Sequence, residues 1–387
     1  MYELQWLLLP VAAASGWALA KSDAKRKTVA SPALTSDYFK GLNYLLNEQP
    51  DKAIECFMRV LEVDSDTVEI HLAVGSLFRQ RGEVDRAIRI HQNLINRTTL
   101  NKSQRSQALL ELALDYMRAG LFDRAESLCR ELIGMEDRSA RAMALLSDIY
   151  QQEKEWDQAI VVTRRLQDKT GQPMDQAIAQ FYCELAEQAR AEGNIDEAYK
   201  KVDEALGADI NCVRASMIRG EMAAAAGDCA AAIRAYRQVE LQDPAYLPEV
   251  IPALVRSYRQ CDEINDLIDY LQKMSAERGG VTVLLALVEL IERERGKAEA
   301  VRYLEQQLPS HPSLRGAARL MEMGMDSANA EARDMLNILK ETVTRALQEK
   351  PVYQCTQCGF AGKALHWHCP GCKRWNTIKP IQGLEGE

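Results

Sequence analysis

Residues 75–87, GSLFRQRGEVDRA, contain the pattern that decides the fold: a glycine, an aromatic residue three positions later, a polar turn and an alanine. Small residues recur at a spacing of 34 positions, in the pairs Gly41 and Gly75, Ala53 and Ala87, Ala125 and Ala159, and Ala198 and Ala232. A period of this length is typical of stacked helical hairpins. Small side chains at two fixed positions let the two helices of a hairpin approach closely, and the aromatic ring fills the space beside them.

The turn within each hairpin has its own signature, which occurs six times, as EQPDKA, RGEVDRA, AGLFDRA, EKEWDQA, EGNIDEA and AGDCAAA. A glycine or polar residue ends the first helix, and an acidic residue usually begins the second. The pattern resembles the tetratricopeptide repeat. We therefore predict an all-α tetratricopeptide-repeat superhelix with six repeats over residues 36–245, followed by two to three degenerate helical pairs over residues 246–349. Spacings of 38 from Ala87 to Ala125 and 39 from Ala159 to Ala198 predict lengthened loops or helix ends.

Composition agrees with a helical protein. Of the 387 residues, 47% are hydrophobic, 27% charged and only 6% aromatic, which favours helices over sheets. A chain of this length is expected to form an elongated array or two to three domains. The formal net charge of −8 argues against nucleic-acid binding by bulk electrostatics.

The N-terminus predicts a membrane anchor over residues 1–20. The stretch from Leu4 to Ala20 has no charged residue, and at 1.5 Å per residue its length is about 26 Å, which is sufficient for the hydrocarbon core. Trp6 and Trp17 lie near its two ends, as in an aromatic belt. A basic cluster opens the juxtamembrane linker of residues 21–35, so the positive-inside rule places the bulk of the chain in the cytoplasm. A buried or interfacial helix is the alternative, because the stretch is short and contains Pro10.

The clearest chemistry lies in residues 350–387, where two C-x2-C pairs are separated by ten residues. Two such pairs let four thiolates converge on one ion as a tetrahedron, and we predict a metal site formed by Cys355, Cys358, Cys369 and Cys372. Zinc and iron both accept this ligand set. The pairs resemble those of rubredoxin, although the intervening loop is shorter than in rubredoxins.

The residues beside these cysteines indicate their roles less clearly. We expect His366 and His368 to pack or contact a partner rather than bind the metal, and Trp367 and Trp375 to form a small core around it. The segment is basic, which suits an acidic protein face or lipid phosphate better than nucleic acid. The six cysteines outside this segment are interpreted as buried small hydrophobic residues in a reducing compartment.

No catalytic motif occurs in the chain: there is no Walker loop, dinucleotide glycine fingerprint or Ser/His/Asp order. His71 and His91 lie in predicted helices and are interpreted as structural or surface residues. A stacked helical array exposes a continuous surface that holds a peptide or a protein face. The sequence therefore predicts a non-enzymatic adaptor with no catalytic or cofactor-binding residues besides the metal ligands.

Four runs together resemble the lipopolysaccharide assembly protein B family: MYELQWLLLPVAAASGW at the start, RGEVDRAIRIHQ at 81–92, FYCELA at 181–186 and WHCPGCKRWNTIKPI at 367–381. The resemblance covers the full length. It implies a single-pass protein of the Gram-negative inner membrane that promotes turnover of the lipid A pathway deacetylase by the membrane protease FtsH. It also implies contacts with other lipopolysaccharide synthesis enzymes, and a metal ribbon that packs against the repeats.

Two other functions remain open from the residues alone. The rubredoxin-like cysteine pairs are compatible with a membrane-tethered redox carrier, which would require iron. A purely structural scaffold for lipopolysaccharide enzymes would use the same surface as an adaptor. Sequence does not distinguish that scaffold from a protein that controls proteolysis.

Overall fold

The computed structural model describes residues 32–63, 68–135, 138–326 and 328–387. The chain divides into two compact units, Met1–Lys154 and Glu155–Glu387. The predicted anchor, with Leu4, Trp6, Trp17 and Ala20, lies outside the described residues. Across the ranges that are described, no helix combines the length and apolar character needed to cross a bilayer.

The first unit is helical throughout its described part. Its helices are α1 (Pro32–Leu46), α2 (Pro50–Val63), α3 (Val68–Gln80), α4 (Val84–Ile95), α5 (Lys102–Arg118), α6 (Phe122–Gly134) and α7 (Ser139–Glu153). The repeated small residues lie where helices meet: Ala53 and Ala87 have no exposed surface. A Cβ added at Gly41 would lie 2.6 Å from the Phe57 ring, so only glycine allows that aromatic side chain against the preceding helix.

A buried polar network explains His91. Its side chain is fully buried, and its Nδ1 lies 2.5 Å from Asp115 Oδ2. Arg79 donates to the other oxygen of Asp115 at 2.7 Å and to Glu111 Oε2 at 2.7 Å. Because each charged group has a partner, the burial of these groups is tolerated. His91 is therefore a structural residue of the first unit.

The second unit combines helices with a small sheet. Its helices are α8 (Trp156–Thr170), α9 (Asp175–Ala191), α10 (Ile195–Ala208), α11 (Val213–Ala225), α12 (Cys229–Gln242), α13 (Leu247–Gln260), α14 (Ile264–Arg278), α15 (Val281–Arg295), α16 (Lys297–Gln307), α17 (Leu314–Gly324) and α18 (Ala330–Gln348), with a 3-10 turn at Pro244–Tyr246. The strands are β1 (Tyr353–Cys355), β2 (Ala361–Gly362) and β3 (Ile378–Pro380). One hydrophobic core continues from Val213 on α11 to Met323 on α17.

The turns between paired helices follow from local chemistry. Gly227 adopts a φ of 82° between α11 and α12, a conformation that glycine takes without strain. The side chain of Asp228 then accepts a hydrogen bond from the backbone N–H of Ala231 at 2.9 Å and caps α12. Asn194 caps α10 in the same way.

The cysteines outside the predicted metal site do not all behave as expected. Cys229 and Cys261 form a disulfide, with their Cα atoms 5.8 Å apart, and are only half-buried, so the interpretation as buried small hydrophobic residues is wrong for these two. They lie at the start of α12 and the end of α13, and the packing of successive hairpins brings these positions together. Cys183 and Cys212 are buried as predicted, and their sulfurs are 3.7 Å apart.

Candidate metal centre and its contacts with the helices

The four clustered cysteines are brought together by a three-stranded antiparallel sheet in the order β2-β1-β3. Cys355 ends β1, opposite Ile378 of β3, and Cys358 follows in the tight turn before β2. The second pair, Cys369 and Cys372, lies in the loop before β3. Gly359 takes a φ of 76° in the first turn, and a Cβ added at Gly371 would lie 3.2 Å from Cys358 Sγ.

The sulfur geometry fits a tetrathiolate metal site. The four sulfurs lie within 4.8 Å of one another, with Cys355 and Cys372 3.8 Å apart and Cys358 and Cys369 3.7 Å apart. A tetrahedron with metal–sulfur bonds of about 2.3 Å has sulfur–sulfur edges of about 3.8 Å. These cysteines therefore form a possible tetrathiolate metal site, and the donor set suits zinc and iron equally.

The electrostatics of the cluster favour a cation at its centre. Burial raises the pKa of the Cys355 thiol, but hydrogen bonds with the Thr377 hydroxyl and with backbone N–H groups lower it to about 6. At Cys358 the N–H of Phe360 lowers the pKa, whereas burial and the neighbouring thiols raise it to about 11. One thiolate thus forms readily and opposes the next, and a bound dication would relieve that repulsion.

The two histidines beside Cys369 have other contacts. His368 Nε2 donates to the Lys373 carbonyl oxygen at 2.9 Å, and its ring stacks on Trp375 with centroids 4.5 Å apart. His366 packs edge-on against Phe360 at 6.3 Å. Both histidines therefore pack within the ribbon, which is one of the two roles predicted for them.

The two tryptophans do not form a core around the metal site, and that prediction is wrong. The core of the ribbon, meaning residues 353–380, contains Cys355, Cys369 and Ile378, with Tyr353, Phe360, Leu365 and Cys372 packed against them. Both tryptophans instead face the helices. The physical reason is area: a large aromatic side chain buries more surface against a neighbouring helical core than a ribbon of this size offers.

Trp375 inserts between two aromatic residues of the helices. Its ring centroid lies 6.1 Å from that of Trp156 on α8 and 5.8 Å from that of Phe181 on α9, both in edge-to-face geometry. Trp156 and Phe181 are themselves stacked at 5.8 Å. Trp367 stacks on Tyr246 at 5.3 Å, with the Arg214 guanidinium 6.0 Å from its ring. Two aromatic anchors therefore join the ribbon to four helical segments.

Polar contacts fix the orientation of the ribbon. The hydroxyl of fully buried Tyr246 lies 2.9 Å from both Asn376 Oδ1 and the Ile378 carbonyl oxygen. Burial raises the pKa of Tyr246, so this hydroxyl remains a donor. Lys379 Nζ donates to Asp243 Oδ2 at 2.7 Å.

A further hydrogen bond joins β1 to helix α13. The Tyr353 hydroxyl donates to Glu249 Oε1 at 2.8 Å. The helix-side residues of these contacts, among them Trp156, Phe181, Tyr246 and Glu249, were missed by sequence reasoning. They occupy ordinary positions in the repeat pattern, and no local signal pairs them with residues more than 100 positions away.

Fold and site together define a tetratricopeptide-repeat protein that carries a rubredoxin-type metal ribbon. Residues 353–380 match the model of the rubredoxin metal binding domain, and residues 40–95, 110–172 and 183–246 match tetratricopeptide repeats. The chain is 40% identical to lipopolysaccharide assembly protein B of Escherichia coli and 34% identical to that of Haemophilus influenzae, with 100% of each chain covered in both cases. It belongs to the lipopolysaccharide assembly protein B family, which confirms the resemblance. Among solved structures it is similar to MamA, with 20% identity and a TM-score of 0.36 over 46% of this chain and 93% of that one.

Proposed function

We propose that this protein is a non-enzymatic adaptor in the control of lipopolysaccharide assembly, tethered to the inner membrane with its bulk in the cytoplasm. Family membership over the full length supports this, as do the tetratricopeptide repeats, since stacked helical hairpins bind peptides and protein faces. The stretch from Leu4 to Ala20 supplies the proposed anchor.

The observation that carries the proposal is that the ribbon packs against the helices through its largest side chains. Its largest side chains, Trp367 and Trp375, are used in contacts with the helices, and the sulfurs of Cys355 and Cys369 belong to residues that are 2% and 0% exposed. A metal bound there would hold the strands in the shape that these contacts need. Such a site acts as a structural part of a binding surface and not as a reaction centre.

The finer proposal is a mechanism by proximity. The client would be the lipid A pathway deacetylase and the effector the membrane protease FtsH. An anchored array that binds the client raises its effective concentration at a protease in the same membrane, without making or breaking a bond itself. Other lipopolysaccharide synthesis enzymes are candidates for the same surface.

A depletion strain tests this proposal. Loss of the protein should lengthen the half-life of the deacetylase, measured by immunoblotting after translation is stopped, and the wild-type chain should restore it. A variant lacking residues 2–20 should restore it poorly while keeping its helical circular-dichroism spectrum. A deacetylase half-life that stays the same on depletion would refute the proteolytic role.

A structural scaffold would use the same surface without proteolysis. Photo-crosslinking in living cells from positions on the helical array separates the two functions. Capture of the deacetylase together with FtsH supports control of proteolysis, whereas capture of synthesis enzymes alone supports the scaffold.

The match to a rubredoxin metal binding domain also motivates a redox carrier as a second candidate. That function needs iron that cycles reversibly. Metal analysis of the purified protein, followed by voltammetry, tests it directly. Zinc in the site, or iron without a reversible wave, excludes the carrier.

A further inference from the structure

The segment Ile381–Glu387 folds back on itself in a turn that positions one carboxylate. Glu387 N donates to the Ile381 carbonyl oxygen at 2.8 Å, and Gly383 N donates to the Glu387 carbonyl oxygen at 2.7 Å. A Cβ added at Gly386 would overlap the Ile381 carbonyl group, so the turn requires glycine there. We call residues 381–387 the return segment.

The carboxylate of Glu387 is surrounded by hydrogen-bond donors. Its Oε2 accepts from the backbone N–H of Thr282 at 3.0 Å, and its Oε1 accepts from the Thr282 hydroxyl at 2.6 Å and pairs with Arg315. Thr282 is the second residue of α15, where unpaired N–H groups and the helix dipole favour an anion. The Glu387 side chain is only 10% exposed.

The return segment lies along a groove whose lining includes Thr282, Arg315 and Lys350. The Leu384 carbonyl oxygen accepts from Leu314 N at 3.0 Å at the start of α17, and Glu385 pairs with Lys350 at 3.1 Å. The groove thus holds a main-chain group and two carboxylates that are two residues apart. This is how a protein recognises an acidic peptide.

The positive groups of the groove face the carboxylates of that occupant, whereas the carboxylate of Glu249, which also lines the groove, is repelled by Glu387 and accepts a hydrogen bond from the Tyr353 hydroxyl. Glu322, which also lines it, pairs with Arg319 at 2.7 Å and with Lys340 at 3.1 Å, and is thereby neutralised. Arg315 and Lys350 are each paired with a glutamate of the return segment itself. A cavity of about 760 Å³ extends beside the segment, with apolar lining from Leu285 and Leu347, so the groove has room for a longer chain.

We propose that this groove is a binding site for an acidic peptide of a partner protein, and that the return segment occupies it in competition with that peptide. The partner would present two carboxylates separated by a small residue, as in Glu385–Gly386–Glu387. This inference goes beyond the proposed function and does not depend on which client the array binds.

The test uses the full-length protein and a fluorescein-labelled peptide of sequence IQGLEGE, with binding followed by fluorescence anisotropy. Two variants open the groove: one lacks residues 383–387, and Gly386→Ala disrupts the turn while keeping every charge. Both should bind the peptide at least roughly ten-fold more tightly than wild type, because self-occupancy lowers the competent fraction. The glutamine peptide IQGLQGQ, which lacks both side-chain carboxylates, should bind at least roughly ten-fold more weakly than IQGLEGE.

A matched pair of arginine variants locates the site. In the protein lacking residues 383–387, Arg315→Ala should weaken binding roughly ten-fold through loss of a charge-assisted contact. Arg302→Ala should leave it unchanged, because Arg302 is exposed on α16 and donates to the Ala298 carbonyl of its own helix.

Several outcomes would overturn the proposal. They are a folded truncated protein that does not bind the peptide, equal binding by wild type, equal binding of the glutamine peptide, or no effect of Arg315→Ala. Light scattering on the Gly386→Ala protein tests one further outcome. If this protein forms a concentration-dependent dimer that does not bind the peptide, the groove is occupied by the return segment of a second copy. Circular dichroism of each variant confirms that it is folded.

Discussion

Removing one hydroxyl group, by Tyr246→Phe, tests whether the ribbon is fixed to the helices by the contacts described above. The ring and its stacking on Trp367, at 5.3 Å, are kept. The lost donor leaves Asn376 Oδ1 and the Ile378 carbonyl oxygen, both 2.9 Å away, without this partner in a site where Tyr246 is fully buried. Loss of one buried hydrogen bond with unsatisfied acceptors costs about 1–2 kcal/mol.

Urea unfolding of the metal-loaded protein, followed by tryptophan fluorescence and by circular dichroism, measures this cost. A double-mutant cycle with Asn376→Gly isolates the pair, since Asn376 has a φ of 54° that glycine also adopts. Coupling of about 0.5–1 kcal/mol is expected for residues in direct contact. Tyr199→Phe is the matched control, because Tyr199 is half-buried and lines a depression with Leu206 and Arg219 instead of facing the ribbon. A Tyr246→Phe protein as stable as this control would refute the proposed docking contact.

Three further predictions concern the metal, the repeats and an ion pair. Removing the metal with an excess of chelator should shift tryptophan emission to longer wavelength as Trp375 leaves its aromatic neighbours; unchanged emission from protein shown to be metal-free would contradict this. Gly220→Ala places a Cβ 2.5 Å from the Tyr236 ring and should cost about 1–3 kcal/mol in thermal or urea unfolding, whereas Gly207→Ala, which meets open space, should be neutral or stabilise by about 0.5–1 kcal/mol. Lys379→Ala should cost about 0.5–1 kcal/mol through its partly exposed ion pair, and a difference that persists in 1 M salt would contradict that cause.

The parts of the structure that sequence predicts are those encoded locally. The alanines found by the repeat spacing are fully buried, among them Ala53, Ala87, Ala198 and Ala232, because each repeat fixes its own helix pair within a few dozen residues. The four cysteines converge because two short spacings are sufficient to place them. In both cases the contact and the signal that reports it lie close together in the chain.

The contacts that sequence misses connect distant parts of the chain. Tyr246 and Asn376 are 130 positions apart, and neither belongs to a pattern that indicates the other. The hydrogen bond between Glu387 and Thr282, which are 105 positions apart, also has no signal in the sequence. A tryptophan beside a metal site suggests a local core, but Trp375 packs on Trp156 and Phe181, which offer the larger aromatic surface.

The metal site and the helices are thermodynamically linked by the ribbon contacts. The partners of Tyr246 and Asp243 lie at residues 376–379, in and beside β3, which pairs with the strand that carries Cys355. If the strands fold only with metal bound, part of the free energy of metal binding stabilises helices α8–α13. In the proposed adaptor, a metal bound by the four cysteines would act through its geometry and not through its electrons. Zinc and iron, which share tetrahedral thiolate geometry, are therefore expected to support the adaptor equally, whereas a redox carrier would function with iron alone.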